Sequence, residues 1–200
     1  DNFIVWSNYF KKKLLEVNKD YKSKNIFISG FPIKKSSKKN NKNINLLYLF
    51  DLNLNFIKTC ELLKKLNKQK KINLFLKLKP QKIESKWDTF CQENKIKYFK
   101  FETLDQINEI INFDYFIATI STAILESSLY KAIPLKLYSG NDFADDLIKD
   151  KVVINVKNFE DINKIARYKA DKKKLNRIFL KVWGIKKYKS IYIKRIFSKY

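Results

Sequence analysis

The sequence has no histidine, no methionine, three glycines, three prolines and two cysteines, and each shortage removes a class of chemistry. Without histidine there is neither Ser-His-Asp nor Cys-His machinery. Structural zinc would have to rest on Cys60 and Cys91, which lack any metal-ligand spacing. Both cysteines fall on predicted amphipathic helices, which fits a reduced environment. Neither G-x-G-x-x-G nor G-x-x-x-x-G-K-[ST] occurs, so the usual dinucleotide fingerprint and the P-loop are absent. No run approaches the roughly 18 uncharged apolar residues of a membrane span, and no signal-peptide pattern opens the chain. The expectation is a protein that is soluble or rests on a membrane surface. The missing methionine and the opening Asp1 predict a segment cut from a longer protein.

Arginine is scarce too. Arg167, Arg177 and Arg195 are the only three among 43 basic residues, so the net charge of +23 is almost all lysine. Clustered cations release counterions when they meet phosphate, which invites a nucleic-acid or anionic-membrane partner. Arginine is the preferred reader of base edges, however, and the abundant Lys, Asn, Ile, Phe and Tyr all have A/T-rich codons. Genome composition therefore accounts for much of the charge, and nucleic acid is disfavoured as a partner.

What is present is enough for a core: 200 residues, 45% of them hydrophobic, fit one domain or one domain with an appendage. Apolar runs rich in Ile, Phe, Leu and Tyr alternate with helical patterns. This order predicts an α/β protein with a Rossmann-like, doubly wound, mainly parallel sheet. Strands are expected at 26–29, 44–50, 72–78, 96–101, 114–119, 133–138 and 152–156. The low-complexity stretch KKSSKKNNKN at 34–43 reads as a linker or exposed loop. Three segments follow: an N-terminal strand and helix with its linker (1–43), the sheet domain (44–170) and a basic C-terminal helical extension (171–200). In the last, Ile178, Phe179, Val182, Trp183, Ile191, Ile196 and Phe197 stand among lysines, with Gly184 between two helices. Their apolar faces either pack on the sheet or meet anionic lipid.

In a doubly wound sheet, ligands lie beyond the carboxyl ends of the strands, where helix N-termini offer free N–H groups. The loops there read FDLN, with Asp51 and Asn53, KLKP, FET, IST and YSGND. Ser121 and Thr122 stand at the expected N-cap and first residue of a 122–131 helix, with Ala123 next. Hydroxyls and amides there suit a phosphate, and simple capping would select the same residues. Lys79 adds a point charge if its loop lies beside that step. Glu102 and Glu126 could accept hydrogen bonds from ribose hydroxyls or a base amine, or serve the helix dipoles. Asp51 and Asn53 either cap the helix near 55 or line the cleft.

The ordered series IFISGFP, INLLYLFDLN, LFLKLKP and FDYFIATISTAILESSLYKAIPLKL resembles the C-terminal half of GT-B-fold glycosyltransferases. The likeness runs over about residues 25–168 and is most specific at 113–137. It leans toward the bacterial enzymes of surface polysaccharides, in capsule and lipopolysaccharide: sialyltransferases, Kdo transferases and CDP-glycerol glycerophosphotransferases. Those families place a His-Pro pair after one strand and a Ser-Ser or Ser-Thr pair after a later one, both on the donor phosphate. Here Lys79-Pro80 stands for His-Pro, and Ser121-Thr122 supplies the hydroxyls. A lysine can neutralise phosphate but does not inherit histidine's proton chemistry.

By the same resemblance Glu102 matches the acid that contacts the nucleoside and Glu126 an acid on the helix after the hydroxyl pair, whose role varies among relatives; both are expected on the nucleoside. The donor would be a nucleotide-sugar, CMP- or CDP-linked by preference with UDP as a further option, and no metal or other cofactor is implied. The acceptor would be a glycan or a lipid-linked glycan. The implied location is cytoplasmic, peripheral at the inner face of the membrane. Such enzymes carry a separate N-terminal Rossmann half that a chain of this length has no room for. A nucleotide-sugar 2-epimerase shares the architecture but relies on histidine. A non-catalytic basic module on nucleic acid or anionic membrane is the reading from another class.

Overall fold

A computed structural model describes residues 2–30, 42–50, 56–79, 85–119, 122–137, 145–158, 160–161 and 172–183. In chain order the elements are β1 (Phe3–Val5), α1 (Asn8–Val17), a 3₁₀ turn (Ser23–Asn25), β2 (Ile26–Ile28), β3 (Ile44–Leu49), α2 (Phe56–Asn67), β4 (Ile72–Lys77), α3 (Ser85–Glu93), β5 (Lys97–Phe99), α4 (Leu104–Ile110), β6 (Tyr115–Ala118), a 3₁₀ helix (Thr122–Tyr130), β7 (Ile133–Leu137), α5 (Asp145–Lys149), β8 (Ile154–Val156) and α6 (Lys172–Val182). The chain divides into two compact units, Asp1–Lys35 with Asn176–Tyr200, and Ser36–Leu175.

The larger unit holds a six-stranded sheet in the order β5-β4-β3-β6-β7-β8, with every neighbouring pair parallel. Burial follows that order. The central strands β3, β6 and β7 are largely apolar and almost wholly buried, as parallel strands covered on both sides are. On one face Tyr48 stacks on Trp87 of α3, and Phe50, Phe56 and Phe90 meet the same indole edge-on. Helix α2 buries Thr59, Leu62, Leu63 and Leu66, one stripe at helical spacing. On the other face Phe75 packs on Phe113, and Phe116 stacks on Tyr130 of the 3₁₀ helix.

Asparagines tie the amino ends of the strands. Asn45 donates through its backbone to Asp114 and through its side chain to the carbonyl of Asn112, and its Oδ1 accepts from Asn73.

The scarcity of glycine leaves a mark. Lys95, Lys131 and Lys151 adopt φ of 53°, 57° and 56°, one or two residues past a helix end, where glycine is usual. Each closes the same motif. The amides at 95, 131 and 151 donate three residues back, and those at 96, 132 and 152 donate five residues back, to Cys91, Ser127 and Leu147.

Six of the seven expected strands are in this sheet. The seventh, β2, pairs instead with β1 in a separate two-stranded parallel sheet, and β1 was not expected from the sequence at all. The helix expected at 122–131 is a 3₁₀ helix over Thr122–Tyr130, unusually long for that form.

In the smaller unit α1 lies along β1 and β2, and Lys11 donates to the carbonyls of Ser23 and Ile26. The end of α6 joins the same unit. Trp183 packs its ring against Trp6 and Phe10, and the Ser7 hydroxyl donates to the carbonyl of Val182. Trp183 therefore meets aromatic partners from the N-terminal segment. Residues 184–200, with Gly184, Ile191, Ile196 and Phe197, lie outside the described residues.

Candidate functional site

Strand order reverses at one place. From β3 the chain winds outward to β4 and β5, then returns to the other side of β3 and winds outward through β6, β7 and β8. The carboxyl ends of β3 and β6 therefore border the switch point, where open α/β sheets hold their ligands. The nominated loops all leave strands at this end.

Their spacing follows from the order. Lys79 follows β4 and Thr122 opens the 3₁₀ helix after β6, with β3 between those strands. At about 4.8 Å per strand β4 and β6 stand roughly 10 Å apart, so the two loops do not leave adjacent strands. Lys79 is exposed, and its reach would have to cross the mouth of β3. Glu102 follows the edge strand β5, one strand further out. Ala123 is half-buried next to Thr122, and Ile124 and Leu125 are buried beneath the helix. Pro80, Ser121, Asp51, Asn53 and the 138–142 loop lie outside the described residues, as does the side chain of Thr122.

Glu102 is occupied by its own turn. Its Oε2 accepts from the backbone amides of Lys100 and Phe101 at 3.0 and 3.1 Å. Backbone hydrogen bonding, first from its own amide, holds its pKa below the ordinary value, and the nearby Lys77 ammonium acts in the same direction. Capping of α4 falls to Thr103 instead, whose hydroxyl accepts from the Gln106 amide while Gln106 returns a bond to the Thr103 amide. Glu126 has the opposite environment. Burial, then the charge of Asp105, pushes its pKa up.

Two lysines went unrecognised in the sequence. Lys136 lies within β7 at 1% exposure and donates to the carbonyl of Thr119 at 2.7 Å, three residues before Thr122. Lys77 ends β4 and donates to the carbonyls of Leu78 and Lys100 at 2.6 and 2.9 Å. The signal was a lone cation between Leu135 and Leu137 in an otherwise apolar strand. Among the described residues no group of three or more His, Cys, Asp or Glu could hold a metal, and no helix is long and apolar enough to cross a membrane.

No protein-family model matches the chain, and a search of curated proteins finds no match. Solved structures do. The chain superposes on a glycotransferase of kitacinnamycin with a TM-score of 0.60 at 11% identity, matching 99% of this chain and 54% of that one. For TarM the TM-score is 0.55 at 13% identity, over 99% of this chain and 43% of that one. For Anabaena HepE in complex with UDP-glucose it is 0.52 at 10% identity, over 99% and 62%.

The fold is thus the Rossmann-like, mainly parallel architecture of GT-B glycosyltransferase halves. The chain spans between 43% and 62% of the length of these solved chains.

Proposed function

We propose that this chain is the nucleotide-sugar-binding half of a glycosyltransferase in bacterial surface-polysaccharide synthesis, with residues 44–170 forming the donor site. The observation that carries the reading is the switch point at β3 and β6, in a fold shared with glycosyltransferases that include one solved with UDP-glucose. The amides and hydroxyls at Ser121, Thr122 and Ala123 take the donor phosphate. Lys79-Pro80 borders the same mouth, and the Lys79 ammonium neutralises the departing nucleotide in place of a metal. Glu102 and Glu126 address the nucleoside, and Asp51 and Asn53 line the cleft. CMP- and CDP-linked donors remain the preferred class, with UDP beside them. Transfer is an oriented displacement at the anomeric carbon. The acceptor, a glycan or lipid-linked glycan, and the catalytic base come with an N-terminal Rossmann half.

Charge supports a cytoplasmic location peripheral to an anionic membrane. The smaller unit holds 16 Lys and Arg against three Asp and Glu in 60 residues, and the larger unit 27 against 17 in 140. Cations at that density favour an anionic surface.

Calorimetric titration with CMP, CDP, UDP and GDP tests the reading, repeated on Ser121→Ala and Lys79→Ala. Saturable binding of one nucleotide, weakened about tenfold in either variant, is expected. Undiminished affinity in both removes this phosphate site. Binding that vanishes as a steep power of salt, with no preference among the nucleotides, indicates a polyanion-binding module instead.

A further inference from the structure

The register of the sheet brings Lys77 and Lys136 into one relationship. Lys77 is paired with Leu49, Tyr48 with Ile117, and Ala118 with Lys136. One rung therefore runs Lys77, Leu49, Ala118, Lys136 across β4, β3, β6 and β7. Side chains of one rung project from the same face. Two residues earlier the rung is Phe75, Leu47, Phe116, Pro134, and there Phe116 stacks on Tyr130 of the 3₁₀ helix. Both lysines thus project from the face that this helix covers. They stand at the carboxyl edge of the sheet, one on each side of the switch-point strands, with backbones roughly 14 Å apart.

Each ammonium grips backbone at a strand mouth. Lys136 holds the carbonyl of Thr119, on the approach to Thr122. Lys77 holds the carbonyls of Leu78, before Lys79, and of Lys100, before Glu102. Burying an ammonium in a strand interior carries a desolvation penalty, and an aliphatic side chain would fill the Lys136 position without that cost. What the lysine adds is a fixed loop and a positive charge in a low-dielectric setting, where charge acts furthest.

We propose that Lys136 and Lys77 are positioning residues for the donor phosphates: they fix the loops on either side of the crevice and set the affinity for anionic groups within it. This rests on the donor-binding reading. The test is calorimetry on the full chain with two series of three probes, cytidine, CMP and CDP beside uridine, UMP and UDP. Wild type should bind more tightly as phosphates are added.

Lys136→Met and Lys77→Met should each cut the diphosphate-to-nucleoside affinity ratio about tenfold, the scale of one charge-assisted hydrogen bond. Nucleoside affinity should stay within about twofold in both. Lys77→Arg should keep the ratio. A purely structural role would lower nucleoside and diphosphate affinity together, and that outcome, or an unchanged ratio in both Met variants, overturns the proposal. If Lys136→Met fails to fold, Lys136→Gln and Lys77→Met decide. A wild-type chain that binds none of the six probes refutes the donor reading and this inference with it. Wild-type binding with unchanged ratios refutes this inference alone.

Discussion

The hydroxyl of Tyr130 donates to Oδ1 of Asp105 at 3.0 Å, fastening the last residue of the 3₁₀ helix to the first turn of α4. The ring of Tyr130 lies stacked on Phe116, so the bond links the helix after β6 to the helix after β5 over one face of the sheet. Burial first, then the bond to Asp105, raises the pKa of the phenol, which keeps it a donor at any ordinary pH. Tyr130→Phe keeps the stack and removes only the hydroxyl. We expect a loss of about 1 kcal/mol in urea unfolding, with an unchanged dependence on denaturant. A variant as stable as wild type would mean that water replaces the phenol at no cost.

Glu126 belongs to the same cluster, and its environment has a consequence for pH. Its pKa is raised in the native chain by burial and then by Asp105. The native state therefore holds this proton after the unfolded chain has released it. The associated stability is intact below the ordinary carboxylate range and is lost as pH rises through the native value. Glu126→Gln should flatten that decline and raise the melting temperature at pH 7. If Glu126 also contacts the nucleoside, the same variant weakens nucleotide binding while the apo protein gains stability. Melts at several pH values, with and without nucleotide, separate the two effects.

The thiols predict behaviour at the alkaline end. Burial, chiefly, pushes Cys60 up to about 11 and Cys91 up to about 12 from an ordinary value of 9.0. Unfolded thiols therefore ionise first, and stability falls from about pH 9 toward the native values, by roughly 1.4 kcal/mol per pH unit for each group in its window. Tyr115, raised by burial to about 12, adds to the same decline. At pH 8 both thiols should resist iodoacetamide until the chain unfolds. Cys91→Ala should make the alkaline decline shallower, even though removing a buried sulfur lowers stability at pH 7. Rapid alkylation of the native chain at pH 8 would contradict this account.

The sheet was legible because buried parallel strands are nearly continuous apolar runs, and INLLYLF, INLFLK, DYFIAT and IPLKL announce themselves. Partnership was not. Nothing local says that β3 stands between β4 and β6, so whether the Lys79 loop lies beside the Ser121–Thr122 step could not be read from the sequence. The pairing of β1 with β2 was hidden for a related reason: three residues carry no periodicity, and their partner is more than twenty positions away. Between Thr122 and Tyr130 the buried residues come as Ile124, Leu125, Ser127 and Ser128, a spacing that fits 3.0 or 3.6 residues per turn. The pattern thus announced a helix but could not fix its form. Lys136 was passed over because it was one lysine among forty, although its place inside an apolar strand distinguishes it.

The last expectation turns on glycine. Lys95, Lys131 and Lys151 hold the left-handed conformation at helix ends, where a Cβ crowds the following carbonyl and costs about 1 kcal/mol or more. The six hydrogen bonds of these three motifs involve only backbone atoms, so glycine can make all of them. Lys95→Gly, Lys131→Gly and Lys151→Gly should each stabilise the chain by about 0.5–1 kcal/mol, the relief of strain outweighing the added freedom of the unfolded chain. The three motifs lie far apart in sequence and their backbone hydrogen bonds have separate acceptors, so the three gains should sum in the triple variant. Urea unfolding of the single and triple variants checks this. A loss at Lys131 alone would show that its side chain holds the end of the 3₁₀ helix by a contact that glycine cannot replace.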